Sequence, residues 1–210
     1  MKAHTKETQA TMTPQKSLDF LKEGNQRFQN NLKANRNLLE QVNDTSEGQF
    51  PFATILSCID SRVSAELVFD QGLGDIFSVR IAGNFVNEDI LGSMEFGCKL
   101  AGTKLIVVLG HTSCGAIKGA CDHARLGNLT ALINKIEPAV DAVTEPKDET
   151  LRNSKNLEFV DKVAAKNVEM TIANIKKDSP VLAEMEQNGE IMIVGAMYDI
   201  STGAVEFLDQ

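Results

Sequence analysis

"KLIVVLGH" (residues 104–111) is the stretch on which the fold of this chain turns. Leu105 to Leu109 form an unbroken apolar run with no polar alternation, closed by Gly110. A run that short, apolar on both sides, predicts a strand covered on both faces, and such strands belong to parallel sheets. "FATILSC" (52–58), preceded by Pro51, is a second strand of the same kind, and "DIFSVRIAG" (75–83) a third. "EIMIVGAMYDISTGAVEFL" (190–208) reads as two strands joined by a Gly-containing turn.

Helical patterns fill the gaps. "SAELVFDQGLG" (64–74) predicts a helix stopped by glycine; "QGLGD" within and after it is a turn and no phosphate loop, since no dinucleotide fingerprint follows. "NEDILGSMEFGCKLAG" (87–102) and "SCGAIKGACDHA" (113–124) are further helices, and residues 126–188 read as largely helical, divided near Pro138, Pro146 and Pro180. Upstream, "MTPQKSLDFLKEGNQRFQNN" (12–31) predicts a helix with Thr13 as N-cap, Pro14 in the first position and Leu18, Leu21 and Phe28 on its apolar stripe. Polar residues 34–50 read as a linker. Strands alternating with helices predict an α/β fold, a mainly parallel central sheet flanked by helices with an N-terminal helical arm. The expected organisation is an arm and linker over 1–50 and a single α/β domain over 51–210.

The 210 residues carry a formal charge of −8, which argues against nucleic acid as a partner. Residues 1–38 hold seven Lys/Arg and three Asp/Glu, a net of +4, so the rest sums to −12. A basic arm beside an acidic body suits docking on a second subunit; a solvated helix is the plainer reading. No apolar run reaches the roughly 20 residues of a membrane span, and no secretory h-region is visible, so a cytoplasmic protein with no membrane partner is expected. The four cysteines, Cys58, Cys98, Cys114 and Cys121, are then reduced thiols or metal ligands.

Ligands in such sheets sit beyond the C-terminal ends of the strands. There the chain places Cys58, at the end of one strand, and His111 and Cys114, an H-x-x-C pair after another. Zn²⁺ favours this mixture of thiolate and imidazole, and three protein ligands leave a fourth position for water, as in catalytic sites. Asp60 and Arg62 follow Cys58 at alternate positions. The carboxylate could close the metal site, or pair with the guanidinium and orient an activated water. Cys98 and Cys121 lie inside helical patterns and read as structural; His123 reads as a surface or helix-end residue, and His4 as part of a mobile tail.

The combination "CIDSR" (58–62) and "GHTSCG" (110–115), with "GDIFSVRIAGN" (74–84) between and "VGAMYDISTGAVEF" (194–207) beyond, resembles the β-class carbonic anhydrases over roughly Thr13 to Leu208. The resemblance implies one Zn²⁺ per chain held by Cys58, His111 and Cys114, with Asp60 and Arg62 as the catalytic dyad. It implies a four-stranded parallel core extended by the C-terminal strands, and a homodimer, or a tetramer built from it, whose N-terminal helices embrace the partner. Gln49, Phe77, Phe96 and Gly115 would be the substrate-binding residues, part of that wall coming from the neighbouring subunit. The implied reaction is reversible hydration of CO2 to bicarbonate and a proton through zinc-bound hydroxide. Hydrolysis of a CO2-like molecule such as carbon disulfide or carbonyl sulfide is an alternative, as is a zinc or thiol protein without turnover.

The chain departs from the family at three places. Arg80-Ile81-Ala82 stands where R-N-A/V is common, Phe96 where a tyrosine is frequent, and Ile55 where some members carry the tryptophan of an inhibitory bicarbonate site. With no Trp in the chain, the open form is expected, Asp60 paired to Arg62, without a tryptophan-dependent switch.

Overall fold

The computed structural model describes residues 2–208. Strands β1 (Ala53–Ser57), β2 (Ile76–Arg80), β3 (Leu105–His111) and β4 (Met192–Tyr198) run parallel, and β5 (Val205–Phe207) returns antiparallel on β4. The sheet order is β2-β1-β3-β4-β5. Every residue of β1 and β3 is buried, as their unbroken apolar runs predict. Their side chains alternate between two cores. Ile55, Leu105, Val107 and Leu109 face Leu18 and Leu21 of α2 (Pro14–Gln29) and Phe69. Leu56, Ile106 and Val108 face Val168 and Ile175 of the long helix α8 (Leu157–Asp178) and Leu182 of α9 (Pro180–Gln187).

α8 lies unusually close to the sheet because two facing strand positions are glycine. A Cβ added at Gly110 or Gly195 would fall 2.7 or 2.8 Å from a Val168 methyl. The seating of α8 against the end of β3 matters for the site described below.

Several elements differ from their sequence patterns. The linker 34–50 contains a helix, α3 (Leu38–Asp44), capped by Asn37, whose side chain accepts from the Glu40 N–H. Its single buried residue is Gln41, whose Oε1 accepts from the Leu73 N–H at 3.2 Å, so no apolar pattern betrays it. Ahead of α2 lies α1 (Lys6–Ala10), closed by reciprocal Thr5 and Thr8 bonds and tied down by Gln9, which donates to the carbonyls of Pro51 and Ala101. The His4 ring meets Phe52 edge-on with centroids 5.3 Å apart, so the expected mobile tail is a packed one.

The helix after β1 is a single turn, α4 (Ala65–Val68), and it ends before any glycine. Asp70 stops it, at φ 45°, held in the left-handed region by hydrogen bonds from Arg27, Arg36 and the Ala34 N–H. α5 (Glu88–Glu95) widens into a π-turn over Phe96–Leu100. α6 (Gly115–Cys121) is followed by α7 (Gly127–Ala142), which runs through Pro138 undivided because Ile133, Ile136, Ala139 and Val140 keep its inner face buried. Pro180 does mark a division, at the start of α9.

Candidate metal centre

Cys58 is the first residue beyond β1, His111 the last of β3, and Cys114 the N-cap of α6. β1 and β3 are adjacent and parallel, with Ser57 opposite Leu109, so their two loops leave the sheet side by side. The ligand atoms of Cys58, His111 and Cys114 all lie within 4.8 Å of one another, and all three residues are buried. The two sulfurs are 3.9 Å apart. That is far beyond the roughly 2.05 Å of a disulfide. It is close to the ~3.8 Å that separates two thiolates each ~2.3 Å from a tetrahedral zinc.

His111 Nδ1 is 3.0 Å from the Thr112 carbonyl oxygen. A carbonyl only accepts, so Nδ1 carries the proton and Nε2 keeps its lone pair. Nε2 is buried without a hydrogen-bond partner among the described residues. Leaving such a group unsatisfied costs about 1–3 kcal/mol, a cost that a coordinated cation removes. The residues present therefore fit a thiolate-imidazole metal.

The two sulfurs lie within hydrogen-bond distance of each other. A hydrogen bond from the Cys114 thiol is the largest cause holding Cys58 below its ordinary value, against burial, helped by the N–H groups of Gly83 and Asp60. Cys114 is pushed up in return, first by that same bond and then by burial. A divalent cation binds thiolates, so its binding would replace that hydrogen bond and release protons.

Beside the cluster, Arg62 grips Asp60 with a fork. Its Nε donates to Oδ1 at 2.9 Å, its Nη2 to Oδ2 at 2.7 Å, and its backbone N–H to Oδ1 at 2.9 Å. The guanidinium holds the carboxyl well below the usual carboxylate range, so Asp60 is ionised. Its Oδ2 lies 4.0 Å from His111 Nε2, facing the three ligands. The paired arrangement expected for Asp60 is the one observed.

Other contacts were not legible in the sequence. Arg80, noted there only beside the missing asparagine, donates to the carbonyls of Cys58 at 2.9 Å and Asp60 at 2.7 Å and so pins the loop. The Gly83 N–H points at Cys58 Sγ, 3.5 Å away. Ser113 is held at φ 54° with its N–H donating to Asp161 Oδ1 at 2.8 Å. Backbone partners carry no residue signature, which is why motif spacing misses them. Ile81 is half-buried against the apolar clusters, and Ile55 is fully buried in the core.

Gly115 opens α6 next to Cys114, exposed, with open space where a Cβ would stand. The other expected pocket residues do not join the cluster within one chain. Phe77 on β2 and Phe96, 51% exposed, sit with ring centroids 6.1 Å apart. They line a shallow cavity of about 790 Å³ with Arg80, Glu88 and Gly92, and none of Cys58, His111 and Cys114 reaches it. Gln49 is exposed and precedes β1, whereas Cys58 follows it, so the two flank opposite ends of that strand. Cys98 and Cys121 are buried, and burial pushes both thiols up to about 11, in keeping with structural roles. His123 is exposed and pairs with Glu137.

Comparison with known proteins gives consistent findings. The sequence pattern of the family described as carbonic anhydrase matches residues 53–205. The chain is 34% identical to carbonic anhydrase 2 of Mycobacterium tuberculosis, over 90% of both chains. It is 35% identical to a carbonic anhydrase of Mycolicibacterium smegmatis, over 89% of both. Among solved structures, the β-carbonic anhydrase CcaA superimposes with a TM-score of 0.72 at 25% identity, over 91% of this chain and 95% of that one.

Proposed function

The chain belongs to the β-class carbonic anhydrases, and from that premise we propose that it hydrates CO2 reversibly to bicarbonate and a proton, using one Zn²⁺ per chain held by Cys58, His111 and Cys114. The observation that carries this reading is the Asp60–Arg62 fork beside three buried ligands whose sulfurs stand 3.9 Å apart. Zn²⁺ in such a site lowers the pKa of water from 15.7 toward about 7, which makes a nucleophile available near neutral pH.

Asp60, kept ionised by Arg62, accepts a hydrogen bond from the attacking water and leaves its lone pair turned to the CO2 carbon. An acid that bound the metal instead would close the site, and the bidentate grip of Arg62 holds it away from that role. Thr112 fixes the His111 tautomer through its carbonyl. CO2 has no charge to grip, so an apolar wall must hold it. Phe77 and Phe96, with Gln49 as hydrogen-bond donor and Gly115 beside the ligands, supply that wall in a homodimer, and a tetramer would be assembled from such dimers.

The arm over residues 1–50, with a net of +4 over residues 1–38, docks on the acidic body of the partner's domain over 51–210. The four free cysteines suit a reducing compartment, and we place the protein in the cytoplasm. No helix among the described residues is long and apolar enough to cross a membrane.

The test is stopped-flow CO2 hydration from pH 6.5 to 9 on protein of known zinc content. Activity proportional to zinc and rising with pH is expected. One zinc per chain with no hydration at any pH would overturn the proposal.

A further inference from the structure

Helix α8 makes two contacts that a merely scaffolding helix would not need. Asn167 is 3% exposed, on a helix whose inner face otherwise buries Val160, Val163, Ala164 and Val168. Its Nδ2 donates to the Gly83 carbonyl at 2.8 Å, and the N–H of the same Gly83 points at Cys58 Sγ. Gly83 sits at φ 80° with Ile136 Cδ1 2.4 Å from where a Cβ would stand, so only glycine serves there. Six residues earlier on α8, Asp161 accepts from the N–H of Ser113, itself left-handed, in the turn that delivers Cys114. Ser113 lies in the loop that carries Cys114, and Gly83 lies in the segment after β2 that faces Cys58; a side chain of one helix pins each of these two left-handed residues.

We infer that Asn167 and Asp161 are positioning residues for the two thiolates: Asn167 fixes Gly83 so that its N–H donates to the Cys58 sulfur, and Asp161 fixes the turn that aims Cys114. This rests on the metal-site reading above. The Gly83 N–H fixes where the Cys58 sulfur stands, and a sulfur free to move holds a metal less well. Losing that donor changes the metal-sulfur bond itself. Outer hydrogen bonds of this kind typically set metal affinity by 10–100-fold. α8 seats closely on Gly110 and Gly195, where an added Cβ would meet Val168.

Cobalt(II) is the probe, because its sulfur-to-metal charge-transfer band and its loss to a chelator report coordination without turnover. Asn167→Leu keeps the bulk and removes the donor without adding charge, and Asn167→Asp sets a carboxyl against the Gly83 carbonyl; both should shift the band, and Asn167→Leu should speed cobalt release about 10-fold. Asp161→Ala should speed release similarly, and Asp161→Asn, whose amide oxygen still accepts from Ser113, should stay near wild type. Thr171→Val, at a buried polar position one turn further along α8, is the control for simple loss of stability. If Asn167→Leu and Asp161→Ala show an unshifted band and wild-type release while melting as Thr171→Val does, the inference is wrong. Should Asp161→Ala fail to fold, Asn167→Leu decides alone. A wild-type protein that binds cobalt through sulfur but never hydrates CO2 would sink the proposed reaction and leave this inference standing.

Discussion

The two edges of the sheet carry opposite kinds of residue arrangement. At the C-terminal edge, Cys58, Asp60, Arg62, His111 and Cys114 come from two short loops of one chain, and the ligands are buried among their own supporting bonds. Along the β2 flank and the N-terminal edge, Phe77, Phe96 and Gln49 line cavities that none of Cys58, His111 and Cys114 reaches. A single chain gathers a candidate metal centre at one edge and leaves Phe77, Phe96 and Gln49 away from it. If the proposed function holds, chemistry and substrate holding are separate modules, and a second subunit would bring them together.

The largest effects should fall on the first module. Cys58→Ala or His111→Ala removes one of three ligands, so zinc content and CO2 hydration should vanish together, activity falling to the uncatalysed background. A zinc-free variant that still hydrates CO2 would break the link between cluster and reaction. Asp60→Asn should retain zinc yet lose activity by a factor on the order of 10² or more, because an amide neither accepts as a carboxylate does nor pairs with Arg62. Full activity in that variant would remove Asp60 from the mechanism.

A mixing experiment tests the separation itself. Asp60→Asn chains keep the aromatic wall, and Phe77→Ala/Phe96→Ala chains keep the metal centre and dyad. If the wall serves the partner's zinc, co-refolded mixed dimers regain one intact site, and activity should rise several-fold above either parent. If each chain walls its own zinc, no mixture restores an intact site and activity should stay at the average of the parents.

The first module is also the one legible in the sequence. Its ligands sit where strand patterns end, and "KLIVVLGH" alone places His111 at a buried strand terminus. Side chains that reach across the fold to backbone atoms left no such mark. Arg80, Asn167 and Asp161 are ordinary polar residues until β2 and α8 bring them to the loops. The same blindness hid α3 and α1, whose anchors are the amides of Gln41 and Gln9. Apolar periodicity reports burial of hydrocarbon, and these elements are fixed by hydrogen bonds. Pro138 misled for the converse reason: four buried neighbours hold α7 straight through it.

The smallest effect on activity should come from the joint between arm and body. Asp70, 7% exposed, accepts from Arg27 Nε and Arg36 Nη1, each at 2.5 Å, and from the Ala34 N–H at 3.0 Å. Burial pushes its carboxyl up, but the two guanidiniums and the amide together outweigh it and hold the group below its ordinary value. A depressed carboxylate contributes stability above its unfolded pKa, about 3.9, and that contribution is lost as pH falls through the folded value. Asp70→Asn should therefore cost roughly 2 kcal/mol near pH 7, less than the 3–5 of a fully buried broken pair because Arg27 remains 27% exposed. For a chain of this size that is a fall in Tm of about 4–8 °C. The gap to wild type should hold down to about pH 5 and close below pH 4, while hydration per bound zinc at 25 °C stays unchanged. Thermal melts from pH 3 to 8 decide it. A gap that persists undiminished at pH 3 would mean that the arm is held by packing alone. A drop in activity per zinc without a drop in Tm would mean that the arm reaches the metal centre after all.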